Sequence, residues 1–236
     1  MGRYNYIVSL GYFCSPAMEF ERIDKRQFSL PFDWLITPKI SDVIDLINNG
    51  FEDFLNEEYM YQIKDFPQFY RNVKYDIDYY HDFSPFKNFD SQISGVLKKY
   101  GRRIERFYSI IKKPTLFLRY INERDAKYIS ENYDYILQSL RKHNPQNDII
   151  FVANNDISLN VEAGIKVYYV EKDKNDSVAR TFLKSNDDLL DYIMSNVDAS
   201  ATQKVKYKNK HIVMLKKCLV KAMVKLKLVY RHSKQC

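Results

Sequence analysis

The amino-acid sequence predicts an α/β fold of three layers, in which helices cover both faces of a mainly parallel sheet, followed by a basic amphipathic helix at the C-terminus. Short apolar runs rich in β-branched and aromatic residues recur at 6–10, 115–121, 148–153 and 165–170. Segments with apolar residues at helical spacing separate these runs. Strands that alternate with amphipathic helices form βαβ units, whose strands are parallel.

The first strand and the first helix flank a cysteine. The run 6–10 ends at Gly11, and a helix is predicted over 15–25, so Cys14 lies at the N-terminus of that helix. Pro16 falls in the first turn, where a missing N–H costs no hydrogen bond. A strand, a tight turn and a helix start therefore follow one another around Cys14.

The alternation continues after one irregular segment. Residues 51–89 are rich in Tyr, Phe and Asp but have poor periodicity, and we predict that they form loops over the strand ends. Apolar spacing and flanking Pro, Asn and Gly residues predict further helices at 41–48, 90–113 and 126–142. These elements build one globular domain over 1–200, followed by a tail over 201–236.

Composition argues against several classes of protein. The chain has 236 residues, of which 45% are hydrophobic and 15% aromatic, enough for one core and too many for a disordered chain. Six glycines argue against a glycine-rich phosphate loop, and the three cysteines have no metal-ligand spacing, so we expect no cofactor and no metal. The N-terminus has no signal-peptide pattern and no apolar run suits a membrane span, so we expect a reduced cytoplasmic setting.

Positive charge is concentrated in the tail. Residues 201–236 contain ten lysines, one arginine and no acidic residue, a charge of +11, which leaves −4 of the net +7 for residues 1–200. The acidic body gives no reason to expect nucleic-acid binding. Apolar and basic residues of the tail fall on opposite helical arcs, which is typical of an interfacial helix on anionic lipid. We predict peripheral attachment to the inner face of the cell membrane, and docking of the same arc on the body is the alternative.

Cys14 is the strongest candidate for chemistry. A thiol at a helix N-terminus faces the positive end of the helix dipole and unpaired N–H groups, which favour the thiolate and lower the thiol pKa. The end of a first strand is also the rim at which α/β sheets bind ligands. The alternative interpretation is that Cys14 serves as a small buried hydrophobic residue.

A thiol nucleophile needs a base and a group that orients the base. The body offers His81 and His143, and the second lies at a helix end where the dipole favours a cation, so we choose His81 as the base. Asp33, directly before Trp34, is the predicted orienter, and Asp82 is the alternative. A loop histidine packed on tyrosines and an aspartate that caps a turn are the structural interpretations of the same residues.

Three further residues are candidates for substrate binding. Trp34 is the only tryptophan, and we expect it to be buried in the wall that positions Asp33. Arg119 interrupts an apolar strand, so it must be paired or reach the edge of the sheet, and we favour a ligand or a buried ion pair over plain exposure. Arg103 lies one helical turn from Arg106. The alternative to ligand binding by Arg103 is that it belongs to a solvated helix face. Bidentate contacts from Arg103 and Arg119 suit a carboxylate or a phosphate.

Several motifs together resemble one known family. They are Ser9-Leu10-Gly11 followed by Cys14, Pro31-Phe32-Asp33-Trp34, Phe51-Glu52-Asp53-Phe54-Leu55, Tyr80-His81-Asp82-Phe83, Arg102-Arg103-Ile104-Glu105-Arg106-Phe107 and Leu116-Phe117-Leu118-Arg119. Over roughly the first two thirds of the chain, this pattern resembles the bacterial DUF1796 family of unknown function, whose members are described as papain-like cysteine peptidases. The resemblance implies a thiol nucleophile and a histidine at His81. The helical and antiparallel halves of papain-type folds do not match the predicted strand-helix alternation, which we follow for the fold.

These residues predict a cysteine-dependent hydrolase or acyl transferase for peptides, amides or esters, with Cys14 as nucleophile, His81 as base and Asp33 as orienter. One alternative is a protein of surface-polysaccharide biosynthesis, glycosyltransferase-like or binding a sugar phosphate or nucleotide phosphate through Arg103 and Arg119 at the inner membrane face. The other alternative is a binding module without catalytic activity.

Overall fold

The computed structural model describes residues 2–159, 164–174 and 179–198. The amphipathic helix predicted for the tail, 201–236, lies outside these residues. Within the described ranges, no helix has both the length and the apolar character needed to cross a membrane.

Strands and helices alternate along most of the described chain. In chain order they are β1 (Tyr6–Ser9), α1 (Ser15–Arg22), β2 (Leu35–Ile36), α2 (Ile40–Asn48), β3 (Met60–Gln62), β4 (Tyr70–Asn72), β5 (Ile77–Tyr79), α3 (Asp90–Ile110), β6 (Thr115–Tyr120), α4 (Glu123–Arg141), β7 (Asp148–Asn154), β8 (Lys166–Val170) and α5 (Asp187–Asn196). Short 3-10 helices lie at Glu57–Tyr59 and Phe182–Lys184.

The first sheet is parallel, with the strand order β1-β6-β7-β8. Val8 pairs with Phe117, which in turn pairs with Ile149, so the three strands are in close register. Every residue of β6 and β7 is buried, as expected for central strands covered on both faces. The prediction of a mixed α/β fold built on a mainly parallel sheet is confirmed.

Alternate residues of the parallel strands supply two separate hydrophobic clusters. Phe117 and Phe151 join one cluster together with residues of α2, α3 and α4. Leu116 and Ile150 join the other, with residues of α1 and α5. Helix α5 was not predicted from the sequence. Asn186 is its N-cap, and the Asn186 side chain accepts a hydrogen bond from the Leu189 N–H at 2.8 Å.

The prediction of loops for residues 51–89 is wrong. This segment supplies three strands of a second, antiparallel sheet with the order β2-β5-β4-β3. Its strands contain two or three residues each, too few for a visible two-residue periodicity. Leu35 of β2 pairs with Tyr79 of β5, so residues before β2 and after β5 lie beside each other.

Candidate active site

The turn between β1 and α1 has a strained backbone. Gly11 and Tyr12 both adopt left-handed conformations, with φ of +82° and +74°. A Cβ atom on Gly11 would lie 2.4 Å from Thr37 Oγ1, so glycine is required at this close approach. Tyr12 lacks that freedom: this conformation costs a non-glycine residue about 1–3 kcal/mol and persists only where the surrounding structure enforces it.

Hydrogen bonds fasten this turn to the residue that follows β2. The Tyr12 N–H donates to Thr37 Oγ1 at 2.8 Å, and the Thr37 N–H donates to the Tyr12 carbonyl at 3.1 Å. The Gly11 N–H donates to Ser9 Oγ at 3.0 Å. The strained turn is therefore fixed relative to β2, which begins directly after Trp34.

Arg119 supports the same turn from the interior of the protein. Its side chain is fully buried, and its guanidinium donates from Nε to Asp125 Oδ2 at 2.8 Å, while Nη2 lies 2.6 Å from the same oxygen in an ion pair. The remaining N–H groups donate to the Leu10 carbonyl at 2.9 Å, Thr37 Oγ1 at 2.7 Å and the Thr37 carbonyl at 2.6 Å. Each of the three guanidinium nitrogens thus donates to a protein acceptor. Of the two roles considered for Arg119, the structure has the buried ion pair.

Asp125 completes this buried pair from the first turn of α4. Its second oxygen, Oδ1, accepts the Ile40 N–H at 2.7 Å, at the start of α2. Burial raises the pKa of the Asp125 carboxyl, and the Arg119 guanidinium opposes that rise. The pair therefore joins β1, the end of β2, α2 and α4 around the turn.

The turn brings Cys14 to the N-cap position of α1. Its side chain is half-buried, and within the described structure the thiol does not cap the helix. The Cys14 carbonyl accepts the Met18 N–H at 3.2 Å, which closes the first helical turn. The thiol is therefore close to the positive end of the α1 dipole, as predicted from the sequence.

His81 lies beside Trp34 because β5 pairs with β2. The two ring centroids are 6.1 Å apart, with ring planes at 89°, an edge-to-face contact. His81 is exposed and Trp34 is half-buried. The expectation that Trp34 is buried is therefore wrong, because the residue lies next to the exposed His81 rather than in the core. The guanidinium of Arg26 lies 5.4 Å from the Trp34 ring centroid and adds a cation–π contact.

Asp33 forms a buried ion pair next to Trp34. Its Oδ2 atom accepts from Arg26 Nη2 at 2.8 Å and from the Leu30 N–H at 2.9 Å. Burial raises the pKa of Asp33, while the charges of Arg26 and Arg103 oppose the rise. The carboxylate therefore fixes the backbone that presents Trp34, and two arginines are close enough to act on its charge.

Asp82, the alternative orienter, faces α3. It accepts hydrogen bonds from Lys99 Nζ and from the Tyr100 hydroxyl, the latter at 2.9 Å. Arg103, one turn further along α3, holds its guanidinium 5.0 Å from the Tyr100 ring centroid. Its Nη1 atom is buried and has no hydrogen-bond acceptor among the described residues. These contacts anchor the segment that carries His81.

The structure thus places His81 against Trp34 and the charge of Arg103 near Asp33, and the hydrogen bonds between Tyr12 and Thr37 connect the turn before Cys14 to the end of β2. Arg119 lies beneath the turn instead of facing solvent. Five residues that contact the candidate residues were not predicted from the sequence: Arg26, Thr37, Lys99, Tyr100 and Asp125. Of these, only Asp125 had a local signal, because it is an acidic residue directly before the helix predicted at 126–142 and falls in the first turn of α4.

A separate cleft of about 410 Å³ opens at the carboxyl ends of β6, β7 and β8. It is lined by Tyr12, Ile36, Pro38, Asn122, Glu123, Arg124, Asn154, Asp156, Ile157 and Lys172. The lining therefore includes the strained Tyr12 but neither Cys14 nor His81. Among the residues that the structure covers, no group of three or more His, Cys, Asp or Glu side chains could hold a metal ion.

Comparisons with known proteins point to one family. A family model described as "Putative papain-like cysteine peptidase (DUF1796)" matches residues 5–155. "Uncharacterized protein R408" of Acanthamoeba polyphaga mimivirus is 27% identical over 181 residues, which cover 65% of this chain and 80% of the viral protein. No solved structure matches the chain. The matched segment contains Cys14, Asp33, Trp34, His81, Arg103 and Arg119.

Proposed function

Because the chain belongs to the DUF1796 family, whose model is described as a papain-like cysteine peptidase, we propose that it is a cysteine-dependent hydrolase or acyl transferase. Its substrates are peptides, amides or esters. One observation carries the proposal. The ring centroids of His81 and Trp34 are 6.1 Å apart, and Thr37, three residues after Trp34, accepts a hydrogen bond from Tyr12 in the turn before Cys14. The carboxyl end of a first strand and the start of a helix supply the position that a thiol nucleophile requires.

In the proposed reaction, the Cys14 thiolate attacks the substrate carbonyl carbon and His81 carries the thiol proton. The tetrahedral intermediate collapses when the His81 imidazolium donates that proton to the leaving amine or alcohol, which leaves a thioester on Cys14. Water, deprotonated by His81, then releases the acid and restores the thiol. If an amine or alcohol replaces the water, the same steps transfer the acyl group.

The other proposed roles follow from the contacts. Asp33 is the proposed orienter of His81. It directly precedes Trp34, and the Trp34 ring contacts the His81 ring on one side. Arg103 is the proposed contact for an anionic group of the substrate, since it lies near Asp33 on the Tyr100 ring. Arg119 has no exposed surface, so we propose that it acts by positioning the Cys14 turn.

Alkylation kinetics test the nucleophile. Iodoacetamide labelling of the full chain, resolved by peptide mass spectrometry, distinguishes Cys14 from Cys218 and Cys236. We expect Cys14 to react faster at pH 7 than a small free thiol, because the helix dipole and His81 favour the thiolate. His81→Asn should slow the reaction, whereas His143→Asn, the matched control, should not. Labelling of Cys14 no faster than the free thiol would overturn the proposal.

Activity is tested separately. Wild-type protein should hydrolyse a fluorogenic peptide amide, and Cys14→Ser should abolish the hydrolysis without changing the melting temperature. Equal rates for the two proteins would contradict a role for Cys14.

The cleft at the carboxyl ends of the parallel strands favours a second candidate function, the binding of a sugar phosphate or nucleotide phosphate. Arg124 and Lys172 line the cleft, although Lys172 pairs with Asp156 and Arg124 lies 3.9 Å from Asp76. Calorimetry with a nucleoside diphosphate sugar tests this function. Binding that Lys172→Ala weakens supports it, and absence of binding at millimolar concentration refutes it.

The cellular setting is also proposed. A cytoplasmic protein whose tail, 201–236, lies on the inner face of the membrane is supported by the tail's charge of +11 without acidic residues. The three-layer description of the domain is supported by the hydrophobic clusters on both faces of the parallel sheet.

A further inference from the structure

A continuous strip of aromatic rings extends from the proposed base over the antiparallel sheet. It consists of Phe66, Phe69, Tyr80, His81 and Trp34, which we call the aromatic strip. Successive ring centroids are 5.4 Å, 3.6 Å, 6.1 Å and 6.1 Å apart. Each ring contacts the next, so the strip connects the loop between β3 and β4 with the proposed active site.

The loop that carries the outer end of the strip is held in place by hydrogen bonds. The Phe69 N–H donates to the Phe66 carbonyl at 2.8 Å, and the Ile63 N–H donates to the Phe69 carbonyl at 2.9 Å. The side-chain amide of Gln62 donates to the Pro67 carbonyl at 2.8 Å. The rings are therefore presented on a formed loop, which lowers the entropy cost of binding a ligand.

Much of the strip faces solvent. Phe66 is 49% exposed and Tyr80 is 38% exposed. A contiguous exposed apolar surface next to polar residues marks a binding site more often than single exposed residues do. The position of this surface beside His81 makes the substrate of the proposed reaction its natural occupant.

We propose that the aromatic strip binds large apolar side chains of a peptide substrate on one side of the bond that Cys14 attacks. This inference rests on the proposed function, because His81 belongs both to the strip and to the proposed active site. Phe69 is stacked against Phe66 and Tyr80, with interplanar angles of 17° and 25°. Phe66 and Tyr80, the exposed rings of this stack, therefore offer aromatic surface for edge-to-face or offset packing with aromatic side chains of a peptide.

Peptide binding to the full chain with Cys14→Ser, which prevents turnover, tests the strip. Two fluorescein-labelled decapeptides have the same charge and a Gly-Ser background, and one carries two central Phe residues where the other has Ser. We expect the Phe peptide to bind more tightly in fluorescence anisotropy. Phe66→Ala or Tyr80→Ala should raise its Kd by about tenfold, as for other aromatic contacts at binding surfaces.

Tyr61→Ala is the matched control, because Tyr61 is 58% exposed on β3 but does not belong to the strip. Equal Kd values for the two peptides, or an equal loss from Tyr61→Ala, would overturn the inference. Binding of a labelled maltoheptaose in place of the Phe peptide would overturn it as well. Melting curves of each variant establish that it is folded.

The two proposals fail in different ways. Hydrolysis of the Phe peptide that depends on Cys14 but not on Phe66 or Tyr80 refutes the strip alone. Strip-dependent binding to the Cys14→Ser protein, without hydrolysis by the wild type, refutes the proposed reaction and leaves the strip as a peptide-binding surface.

Discussion

Replacing Arg119 by Met tests how the Cys14 turn is held. The side chain is fully buried, and its hydrogen bonds reach Asp125, Leu10 and Thr37. The substitution leaves the Asp125 carboxylate buried at 1% side-chain exposure without its cation. Breaking a buried pair from one side costs about 3–5 kcal/mol. The lost bonds to Leu10 and Thr37 are part of that figure, because contacts within one network are not additive.

Urea unfolding followed by fluorescence of Trp34, the only tryptophan, measures the loss. Asp125→Asn removes the opposite charge and keeps an acceptor for the Ile40 N–H, so it completes a double-mutant cycle. We expect Arg119→Met to lose about 3–5 kcal/mol. The double variant should lose less than the sum of the single losses, by about 1–3 kcal/mol. A loss under about 1 kcal/mol for Arg119→Met, or strictly additive losses, would refute the reasoning.

Three further outcomes are expected. Burial and the charges of Lys142 and Lys112 lower the pKa of His143 below 6.5, so the unfolded chain takes up the proton first as the pH falls. The urea midpoint of the wild type should therefore decrease as the pH falls below about 6.5. The midpoint of His143→Asn should decrease less, and an equal decrease in the two proteins would contradict a role for His143. Trp34→Ala should lower the free energy of unfolding, measured by thermal unfolding, by about 1–2 kcal/mol. Loss of a fully buried aromatic side chain costs about 3–5 kcal/mol, and Trp34 is only half-buried. Deletion of 201–236 should abolish co-sedimentation with anionic vesicles, and salt should weaken binding of the full chain, since charges are screened over about 10 Å at 0.1 M; unchanged sedimentation after deletion argues against the membrane proposal.

The strands that the sequence predicted correctly are those with long apolar runs. All residues of β6 and β7 are buried, so each strand is visible as one continuous run. The strands β3, β4 and β5 have three residues each, and their pairing depends on neighbours elsewhere in the chain. The periodicity of a short sequence window cannot indicate which distant strands pair with each other.

The candidate site divides in the same way. The helix start at Cys14 was predictable, because the preceding strand and Pro16 are local signals. The bond from Arg119 to Thr37 spans 82 residues of sequence, and no local pattern indicates it. Trp34 was expected to be buried in the wall that positions Asp33, but its place beside β2 and His81 leaves it half-buried.

The contact between Arg119 and Leu10 has a consequence for synthesis of the protein. The two residues are 109 positions apart, so the ribosome adds Arg119 roughly 5–20 s after Leu10 at the usual rates of translation. Until then the left-handed conformation of Tyr12 lacks the guanidinium that supports Leu10 and Thr37 around it. The nascent chain therefore carries the Cys14 turn for several seconds without the contacts that hold that turn in the folded protein.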